Sequence, residues 1–288
     1  MIDGNTLLFG IVGDPVGHSL SPLMHNANIE SLGLNYAYVP FHVKKENIQN
    51  LISGAKALNI QGLNVTIPHK IEVIKYLDEI DSLAENIGAV NTIKFTDGIA
   101  KGYNTDAIGA MTALKEKTDI KNKNVLVLGA GGASRAISYA LCEEDVNSIT
   151  ILNRHINKAE ALADDISSKT DYTVSYDLQS NSNKYLKDTD IIINTTPNGM
   201  YPHVDDKPLI YAQEMNSDMA VFDIVYTPLE TGILKEAKKI GATRISGIKM
   251  FLYQGVESFK IWTGIDANSK VMEDVILKAS GIDDIGEF

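Results

Sequence analysis

Short blocks of apolar residues alternate with segments of helical periodicity along almost the whole chain. The blocks are too short for helices and rich in β-branched residues, which is typical of strands buried on both faces. They predict strands at 7–13, 35–43, 62–67, 125–128, 148–153, 173–178, 190–196 and 219–226. Apolar residues at helical spacing predict helices at 45–58, 106–117 and 156–167. Strands that alternate with helices in this way favour an α/β protein with parallel sheets.

Local signals add further elements to this pattern. Ser21-Pro22 can open a helix that turns Leu23, Met24, Ala27 and Ile29 inward. Pro68 can stand at the first helical position of a further amphipathic turn or two. Asp97-Gly98 separates two apolar runs and predicts a hairpin turn. The last sixty residues show helical periodicity, so we expect them to be all-helical.

Composition bounds the class of protein. The chain has 288 residues, enough for two ordinary domains, since single cores stop growing at about 250–300 residues. The net charge of −11 disfavours binding to nucleic acid or to an anionic membrane over most of the surface. A single cysteine, Cys142, excludes an intramolecular disulfide and a cysteine-based metal cluster, and we expect no metal. The N-terminus has no basic segment before an apolar run, so we expect a cytoplasmic protein.

The strand at 125–128 ends in a glycine-rich turn, GAGGASRA. Gly129 and Gly131 allow a tight turn and a close backbone approach to a pyrophosphate, while the following helix presents free N–H groups to that anion. Ser134 replaces the third glycine of G-x-G-x-x-G and is small enough for contact between helix and strand. An ordinary strand-to-helix turn is the alternative. The residues that we expect to bind the phosphates of a dinucleotide are Gly129, Ala130, Gly131, Gly132 and Ala133.

The end of the next strand indicates which dinucleotide is bound. NAD-binding folds place an acidic residue there, on the 2′-hydroxyl of the adenine ribose. This sequence instead has Asn153 and Arg154, with Lys158 one turn later. Because a guanidinium pairs well with a 2′-phosphate, these residues favour NADP. The alternative is a pair of solvated cations at a helix start.

Polar residues at two upstream strand ends are candidates for the proton transfer that accompanies hydride transfer. The segment NVTIPHK ends one strand, with Asn64 and Thr66 on the same face and Lys70 beyond the turn. The segment GYNTD ends another and supplies Asn104 and Asp106. A lysine and an aspartate from two strand ends can form a proton donor and the anion that orients it.

The neighbouring histidines are weaker candidates. His69 lies beside Lys70, but adjacent residues seldom serve one site. We therefore expect His69 to be exposed, together with His18 and His25.

Nine motifs, in one order and over nearly the whole chain, carry a resemblance to a known family. They are GHSLSP, NVTIPHK, GAVNT, GYNTDAIG, GAGGASRA, NRHINKA, NTTPNGM, DIVYTP and GIKMFLYQG. Together they resemble shikimate dehydrogenase. The resemblance implies an oxidoreductase that reversibly reduces 3-dehydroshikimate to shikimate with NADPH, a step of chorismate and aromatic amino-acid biosynthesis.

The resemblance also implies the division of the chain into two α/β domains. A substrate-binding catalytic domain would occupy residues 1–104, and C-terminal helices from about residue 250 to residue 288 would return to it. A Rossmann-type, doubly wound NADP-binding domain would occupy residues 105–249.

Individual roles follow from the same resemblance. Lys70 and Asp106 would be the catalytic pair, and the hydroxyls of Ser19 and Ser21 would hold the substrate carboxylate. The substrate would be bound by Ser19, Ser21, Asn64, Thr66, Asn91, Asn104, Tyr226 and Gln254. The nicotinamide side of the cofactor site would be lined by Thr195, Met200, Val225, Gly247 and Met250. Three of these, Met200, Val225 and Met250, fit the role of core residues equally well.

Two other functions stay open on sequence grounds. A quinate or dual quinate/shikimate dehydrogenase resembles the family in fold and catalytic pair but often accepts NAD; Arg154 and Ser21 argue against it. A non-catalytic NADP-sensing protein would need the glycine turn but not Lys70 and Asp106. We expect a small-molecule substrate and no nucleic-acid or membrane partner, and a homodimer is compatible with the sequence.

Overall fold

The computed structural model describes residues 2–281, which fold as two compact units. The first unit consists of residues 2–105 and 252–281, and the second of residues 106–251. The chain therefore leaves the first unit after residue 105 and rejoins it at residue 252. Each unit is built on a six-stranded sheet, and the predicted α/β class is confirmed.

The sheet of the first unit has the strand order β2-β1-β3-β5-β6-β4. Its strands are β1 (Leu7–Gly13), β2 (Tyr36–His42), β3 (Gly62–Val65), β4 (Glu79–Ile80), β5 (Thr92–Thr96) and β6 (Ile99–Tyr103). All pairings are parallel except those of β5, which runs antiparallel to β3 and β6. As a result, the ends of β1, β3 and β6 and the start of β5 lie along the same edge of this sheet.

Helices α1 (Ser21–Ser31), α2 (Ile48–Ala57), α3 (Ser82–Ile87) and α9 (Ser269–Ala279) belong to the first unit. Helix α2 turns Ile48 and Ile52 into a core cluster that includes Leu63 of β3 and Ile93 of β5. Ile48 and Ile52 recur at helical spacing on α2, and Leu63 and Ile93 belong to buried strands. Burial of their apolar area holds the helix on the sheet.

The C-terminal part of the chain completes the core of the first unit. Helix α8 (Gly247–Thr263) carries Trp262, whose ring lies so close to Gly62 that a Cβ at Gly62 would be 2.3 Å from it. The indole N–H of Trp262 donates to the carbonyl oxygen of Ile93 at 2.9 Å. A buried indole needs such an acceptor, so these two contacts fix the position of the ring.

The second unit contains an entirely parallel sheet with the order β12-β11-β10-β7-β8-β9. Its strands are β7 (Asn124–Leu128), β8 (Ser148–Asn153), β9 (Ser175–Leu178), β10 (Ile191–Asn194), β11 (Ala220–Asp223) and β12 (Thr243–Ser246). Its helices are α5 (Gly132–Cys142), α6 (Ile156–Lys169) and α7 (Gly232–Lys239), and α4 (Thr105–Lys117) leads into it. This is the doubly wound order, with the switch point between β7 and β10.

Several local predictions are confirmed, among them the hairpin turn between β5 and β6. Asp97 and Gly98 join β5 to β6, and their φ angles are +50° and +79°. A two-residue type I′ turn requires positive φ at both positions, and Asp-Gly is one of the sequences that adopt it readily.

Three local predictions are wrong. Pro68 is not the first residue of a helix, because the helical turns that follow it begin at Glu72 and form the 3₁₀ helix Glu72–Tyr76. The last sixty residues are not all-helical, because the strand Thr243–Ser246 lies among them; its sequence, TRIS, has a single apolar residue and so lacks the apolar run that predicts a buried strand. Of the α1 residues predicted to face inward, Met24 and Ile29 are buried and Ala27 is half-buried, but Leu23 is 52% exposed.

Candidate active site

Polar residues collect along the edge of the first sheet where β1, β3 and β6 end and β5 begins. Asn64 lies near the end of β3, and the others lie in the segments next to these strand ends, which neighbouring strands bring to one edge. Seven predicted substrate or catalytic residues belong to this group: Ser19, Ser21, Asn64, Thr66, Lys70, Asn91 and Asn104.

A buried hydrogen-bond network connects four elements, β3, β5, α4 and α8, beside this edge. Its centre is Ser258 on α8, which is fully buried. The hydroxyl oxygen of Ser258 lies 2.8 Å from Thr92 Oγ1 and 3.0 Å from Thr105 Oγ1, and it accepts from Asn64 Nδ2 at 3.0 Å. The backbone N–H of Thr105 donates to Asn91 Oδ1 at 2.7 Å. The network therefore holds the amides of Asn64 and Asn91 in fixed orientations.

The bonding capacity of Asn64 decides what it can offer a ligand. Its Nδ2 donates to Thr92 Oγ1 and Ser258 Oγ, with the Asn91 carbonyl oxygen at 3.3 Å as a third acceptor. Its Oδ1 accepts from the hydroxyl of Tyr38 at 2.7 Å. An amide nitrogen has two donors and an amide oxygen two lone pairs. The nitrogen is fully used, so Asn64 can meet a further group only as an acceptor.

Ser19, Ser21 and Lys70 lie on turns that the backbone anchors. Ser21 is almost fully buried at the start of α1, and its N–H donates to Ser19 Oγ at 3.2 Å. Lys70 is half-buried, and its carbonyl oxygen accepts from the N–H of Val90 at 2.8 Å. The turn after β3 is thereby tied to the segment that leads to Asn91.

Two histidine predictions are wrong, because His25 and His69 are fully buried. His69 Nε2 lies 2.6 Å from the carbonyl oxygen of Val43, a partner that a buried imidazole needs. The ring of His25 stacks on that of Tyr38, with centroids 4.4 Å apart, and burial lowers the pKa of His25 to about 3. His25 is therefore neutral at neutral pH. The exposure predicted for His18 is confirmed.

The remaining candidates for substrate chemistry are Asp106, Tyr226 and Gln254. Asp106 is half-buried in the first turn of α4, and Gln254 is almost fully buried on α8. The ring of Tyr226 stacks on Phe251 with centroids 5.2 Å apart, and burial raises the pKa of its phenol. The Tyr226 hydroxyl therefore keeps its proton and can donate it in a hydrogen bond.

In the second unit, the turn after β7 fits a dinucleotide. Gly129 has φ +108°, and a Cβ there would lie 2.5 Å from Thr195 Oγ1, so the packing of the protein itself requires this glycine. At Gly131 and Gly132, both exposed, a Cβ would meet no heavy atom within 4 Å. The fold does not need glycine at these two positions, whereas a pyrophosphate approaching the helix N-terminus does.

Two further residues of the turn serve the packing of α5. Ser134 is fully buried and its hydroxyl donates to the Gly129 carbonyl oxygen at 2.8 Å, which accounts for serine at the third motif position. Arg135 forms an ion pair with Asp165 of α6. The positive charge of Arg135 is therefore directed at α6.

The end of β8 presents cations and no carboxylate. Arg154 and Lys158 are exposed, and neither forms an ion pair with any other of residues 2–281. Asn153 Nδ2 donates to the His155 carbonyl oxygen at 3.0 Å and closes the short loop between β8 and α6. A guanidinium on such a loop suits a 2′-phosphate.

The loops after β10 and β11 carry the predicted nicotinamide-side residues Thr195, Met200 and Val225. The N–H and the hydroxyl of Thr195 both donate to the Leu128 carbonyl oxygen, at 2.8 and 2.7 Å, which brings Thr195 against Gly129. Val225 is buried, but Met200 is 45% exposed. Met200 is therefore not a core residue.

Gly247 and Met250 lie at the start of α8. A Cβ at Gly247 would be 2.0 Å from the Ile224 carbonyl oxygen, so contact with the segment after β11 is enough to require glycine. Met250 is almost fully buried. Packing within the second unit is enough to explain why position 247 is a glycine and position 250 is apolar, without a contact to a ligand.

The sequence reasoning missed the residues that support the predicted ones, among them Tyr38, Thr92 and Ser258. Ser258 is separated from Asn64 by 194 residues, and no local pattern connects the two. One signal was available: an asparagine inside an apolar strand must find buried partners.

These features define a class: an α/β enzyme with a Rossmann dinucleotide fold and a second α/β unit rich in buried polar side chains. Three family models match the chain: the shikimate dehydrogenase substrate binding domain at residues 11–93, shikimate/quinate 5-dehydrogenase at 111–228, and the shikimate 5′-dehydrogenase C-terminal domain at 247–277. The shikimate dehydrogenase (NADP(+)) of Methanobrevibacter smithii is 57% identical over 279 residues, which cover 96% of this chain and 99% of that protein. The chain belongs to the shikimate dehydrogenase family.

Solved structures agree with this assignment. A crystal structure of a shikimate dehydrogenase in complex with NADP⁺ has 50% sequence identity and a TM-score of 0.93, with 97% of each chain covered. The shikimate 5-dehydrogenase of Thermus thermophilus, in complex with NADP(H) and shikimate, has 33% identity and a TM-score of 0.85 over 95% of this chain and 99% of that one. The family resemblance read from the nine motifs and the predicted fold class are confirmed.

Proposed function

We propose that this protein catalyses the reversible, NADPH-dependent reduction of 3-dehydroshikimate to shikimate, a step of aromatic amino-acid biosynthesis. The relative from Methanobrevibacter smithii is named shikimate dehydrogenase (NADP(+)), and the predicted activity, oxidoreductase class and NADP cofactor are confirmed by such relatives. The structural observation that carries the proposal is the collection of polar side chains along one edge of the first sheet.

We assign substrate binding to the first unit and cofactor binding to the second. The polar edge of the first sheet supports the first assignment, and the exposed glycines at the start of α5 support the second. As expected from the sequence, the proposed substrate-binding domain comprises residues 1–104 and about 250–288. The proposed cofactor-binding domain comprises residues 105–249.

The substrate offers a carboxylate and ring hydroxyls. We assign the carboxylate to the hydroxyl donors of Ser19 and Ser21, at the start of α1. Asn64 would accept from a ring hydroxyl through Oδ1, because its nitrogen is already used. The other residues assigned to ring hydroxyls are Thr66, Asn91, Asn104, Tyr226 and Gln254.

Lys70 and Asp106 are assigned to proton transfer. When bound, NADPH supplies the hydride for the carbonyl carbon of the substrate. As negative charge develops on the carbonyl oxygen, Lys70 donates a proton from Nζ to that oxygen, and in the reverse direction it takes the proton back. Asp106 orients the Lys70 ammonium and accepts from a neighbouring ring hydroxyl.

Binding of the cofactor is assigned to three places in the second unit. The turn from Gly129 to Ala133 would hold the pyrophosphate, with the N-terminus of α5 behind it. Arg154 and Lys158, next to Asn153, would hold the 2′-phosphate. The nicotinamide side would be lined by Thr195, Met200, Val225, Gly247 and Met250.

The test is a set of paired kinetics on the purified protein, with shikimate or quinate and with NADP or NAD. We expect kcat/KM to be highest for shikimate with NADP, measured by the absorbance of the reduced nicotinamide. No turnover of shikimate with either cofactor would contradict the proposal. A higher kcat/KM for quinate with NAD would favour the quinate dehydrogenase alternative.

We further propose a cytoplasmic location for the enzyme. Within residues 2–281, no helix has both the length and the apolar character that a membrane span requires. A homodimer stays a prediction, and light scattering of the purified protein tests it.

A further inference from the structure

Asp223 is a fully buried acid at the end of β11 that accepts hydrogen bonds from three segments. Its Oδ1 accepts from Asn194 Nδ2 and from the N–H of Val225, both at 3.0 Å, and its Oδ2 accepts from Thr231 Oγ1 at 2.6 Å. These donors stand at the end of β10, in the segment after β11, and just before α7. One carboxylate thus joins two loops and the start of a helix.

Asn194, which Asp223 holds in place, also forms hydrogen bonds with the loop after β10. Its Oδ1 accepts from the N–H and from the hydroxyl of Thr196, at 3.0 and 2.7 Å. The Thr196 hydroxyl in turn accepts from the N–H of Asn198 at 3.3 Å. The loop that carries Thr195 and Met200 is therefore held through Asn194 by Asp223.

The charge of Asp223 is costly where it stands. Within residues 2–281 the carboxylate forms no ion pair, and burial raises its pKa to about 6. Burying an unpaired charge is unfavourable unless hydrogen bonds compensate, and hydrogen bonds to an ionised acceptor are about twice as strong as neutral ones. The buried carboxylate therefore makes the two loops more rigid but lowers the free energy of unfolding of the protein.

A helix-capping role does not explain these contacts. Thr231 is itself the N-cap residue of α7, and its side chain makes no capping hydrogen bond to the helix. Asp223 contacts the Thr231 hydroxyl rather than a backbone N–H of α7. The other two hydrogen bonds, from Asn194 and from the N–H of Val225, hold the loops after β10 and β11.

We propose that Asp223 is a positioning residue for the nicotinamide half of the cofactor. It fixes Asn194 and the Val225 amide, and so keeps the loops that carry Thr195, Met200 and Val225 in one conformation. This proposal rests on the role assigned to those residues under the proposed function.

The experiment compares two probes by calorimetry: NADPH, and 2′-phospho-ADP-ribose, which lacks the nicotinamide. In Asp223→Ala we expect the Kd of NADPH to rise about tenfold, the size of one lost charge-assisted hydrogen bond. The Kd of 2′-phospho-ADP-ribose should stay within about twofold. In Asp223→Asn the NADPH affinity should largely return, since the amide oxygen can still accept from Asn194 and Val225 and its NH₂ can donate to Thr231.

Asp190 supplies a matched control at the other end of β10. Its carboxylate accepts from the N–H of Asn124 at 2.8 Å and from Lys123 Nζ at 3.3 Å. Asp190→Ala removes an acid of the same sheet without touching the loops after β10 and β11. We expect it to leave the Kd of both probes unchanged.

An equal loss of affinity for both probes in Asp223→Ala would overturn the proposal, and so would no loss for either. If Asp223→Ala does not fold, Asn194→Ala removes the side chain through which Asp223 holds the loop after β10, and it should raise the Kd of NADPH alone by about three- to tenfold; unchanged NADPH binding there would overturn the proposal. The binding assay needs no substrate, so a protein that binds NADPH but does not turn over shikimate would contradict the proposed function separately.

Discussion

The hydroxyl of Tyr38 donates to Oδ1 of Asn64 at 2.7 Å, and both side chains are almost fully buried. Burial raises the pKa of the Tyr38 phenol well above its ordinary value, so the hydroxyl keeps its proton. With the Asn64 nitrogen engaged by Thr92 and Ser258, one lone pair on Oδ1 is left. The orientation of this amide is set by the protein before substrate arrives.

Removing the Tyr38 hydroxyl should therefore weaken substrate binding more than cofactor binding. In Tyr38→Phe we expect the KM for shikimate to rise about three- to tenfold, equivalent to one buried hydrogen bond, with the KM for NADP unchanged. Steady-state kinetics measure both. Tyr36→Phe removes a hydroxyl two residues earlier on β2, on a half-buried ring packed against Phe9, and should leave both constants as they are.

Replacement of Lys70 tests the proton-transfer role. In Lys70→Ala we expect kcat to fall by about 10²–10⁴, the usual contribution of a general acid, while the Kd of NADPH is retained. Stopped-flow or steady-state rates and a fluorescence titration with NADPH provide the two readouts. Lys75→Ala, an exposed lysine paired with Glu72, is the control. Near-normal turnover in Lys70→Ala would remove this residue from the proton step.

Arg154 should decide the choice between the two dinucleotides. Loss of a guanidinium–phosphate contact costs about 1.5–3 kcal/mol, so Arg154→Ala should raise the KM for NADP about 10- to 100-fold and leave that for NAD nearly unchanged. Lys187→Ala, an exposed cation that precedes β10, should change neither value. Equal changes for both cofactors would contradict a contact with the 2′-phosphate.

Two glycines should respond in opposite ways to alanine. At Gly131 a Cβ meets nothing within 4 Å, so Gly131→Ala should cost at most about 1 kcal/mol of stability while raising the KM for NADP more than about tenfold. At Gly247 a Cβ would lie 2.0 Å from a backbone oxygen, so Gly247→Ala should cost more than about 3 kcal/mol. Urea unfolding and cofactor titration separate the two effects, and a stable Gly247→Ala would contradict the packing argument.

The buried His25 makes the enzyme sensitive to acid. Its pKa is about 3 in the folded protein and about 6.5 when unfolded, so as pH falls the unfolded chain takes up the proton first. The contribution of neutral His25 to the free energy of unfolding is fully present above pH 6.5 and is lost progressively as the pH falls below it. Between pH 6.5 and 4.5 we expect wild type to lose about 2–3 kcal/mol more than His25→Phe, measured by urea unfolding. The same loss of stability in wild type and His25→Phe over this pH range would contradict the role of His25.

The sequence predicts the strands and the cofactor turn because their signals are local. The β-branched run before Gly129 reads as a buried strand, and the glycines that follow it indicate the turn. Glu79–Ile80 has only two residues and Thr243–Ser246 only one apolar side chain, Ile245, so neither shows the apolar run that predicts a buried strand.

The support for the site could not be predicted, because it depends on contacts between distant segments. Ser258 meets Asn64 across 194 residues, and Asn194 meets Asp223 across 29. The burial of His25 likewise depends on the rings of Tyr38 and Trp262, which the order of residues on α1 does not reveal.

Trp262 fills the space over Gly62 and bonds to Ile93, which lies 169 residues earlier in the chain. A ribosome therefore finishes all of residues 106–251 before it makes the side chain that completes the first core. The unit begun first is the last to be finished, so the sheet of the second unit can form in a nascent chain while the core of the first unit still lacks Trp262. Chains that end before α8 would leave Phe9 and Tyr38 without the ring that packs near them.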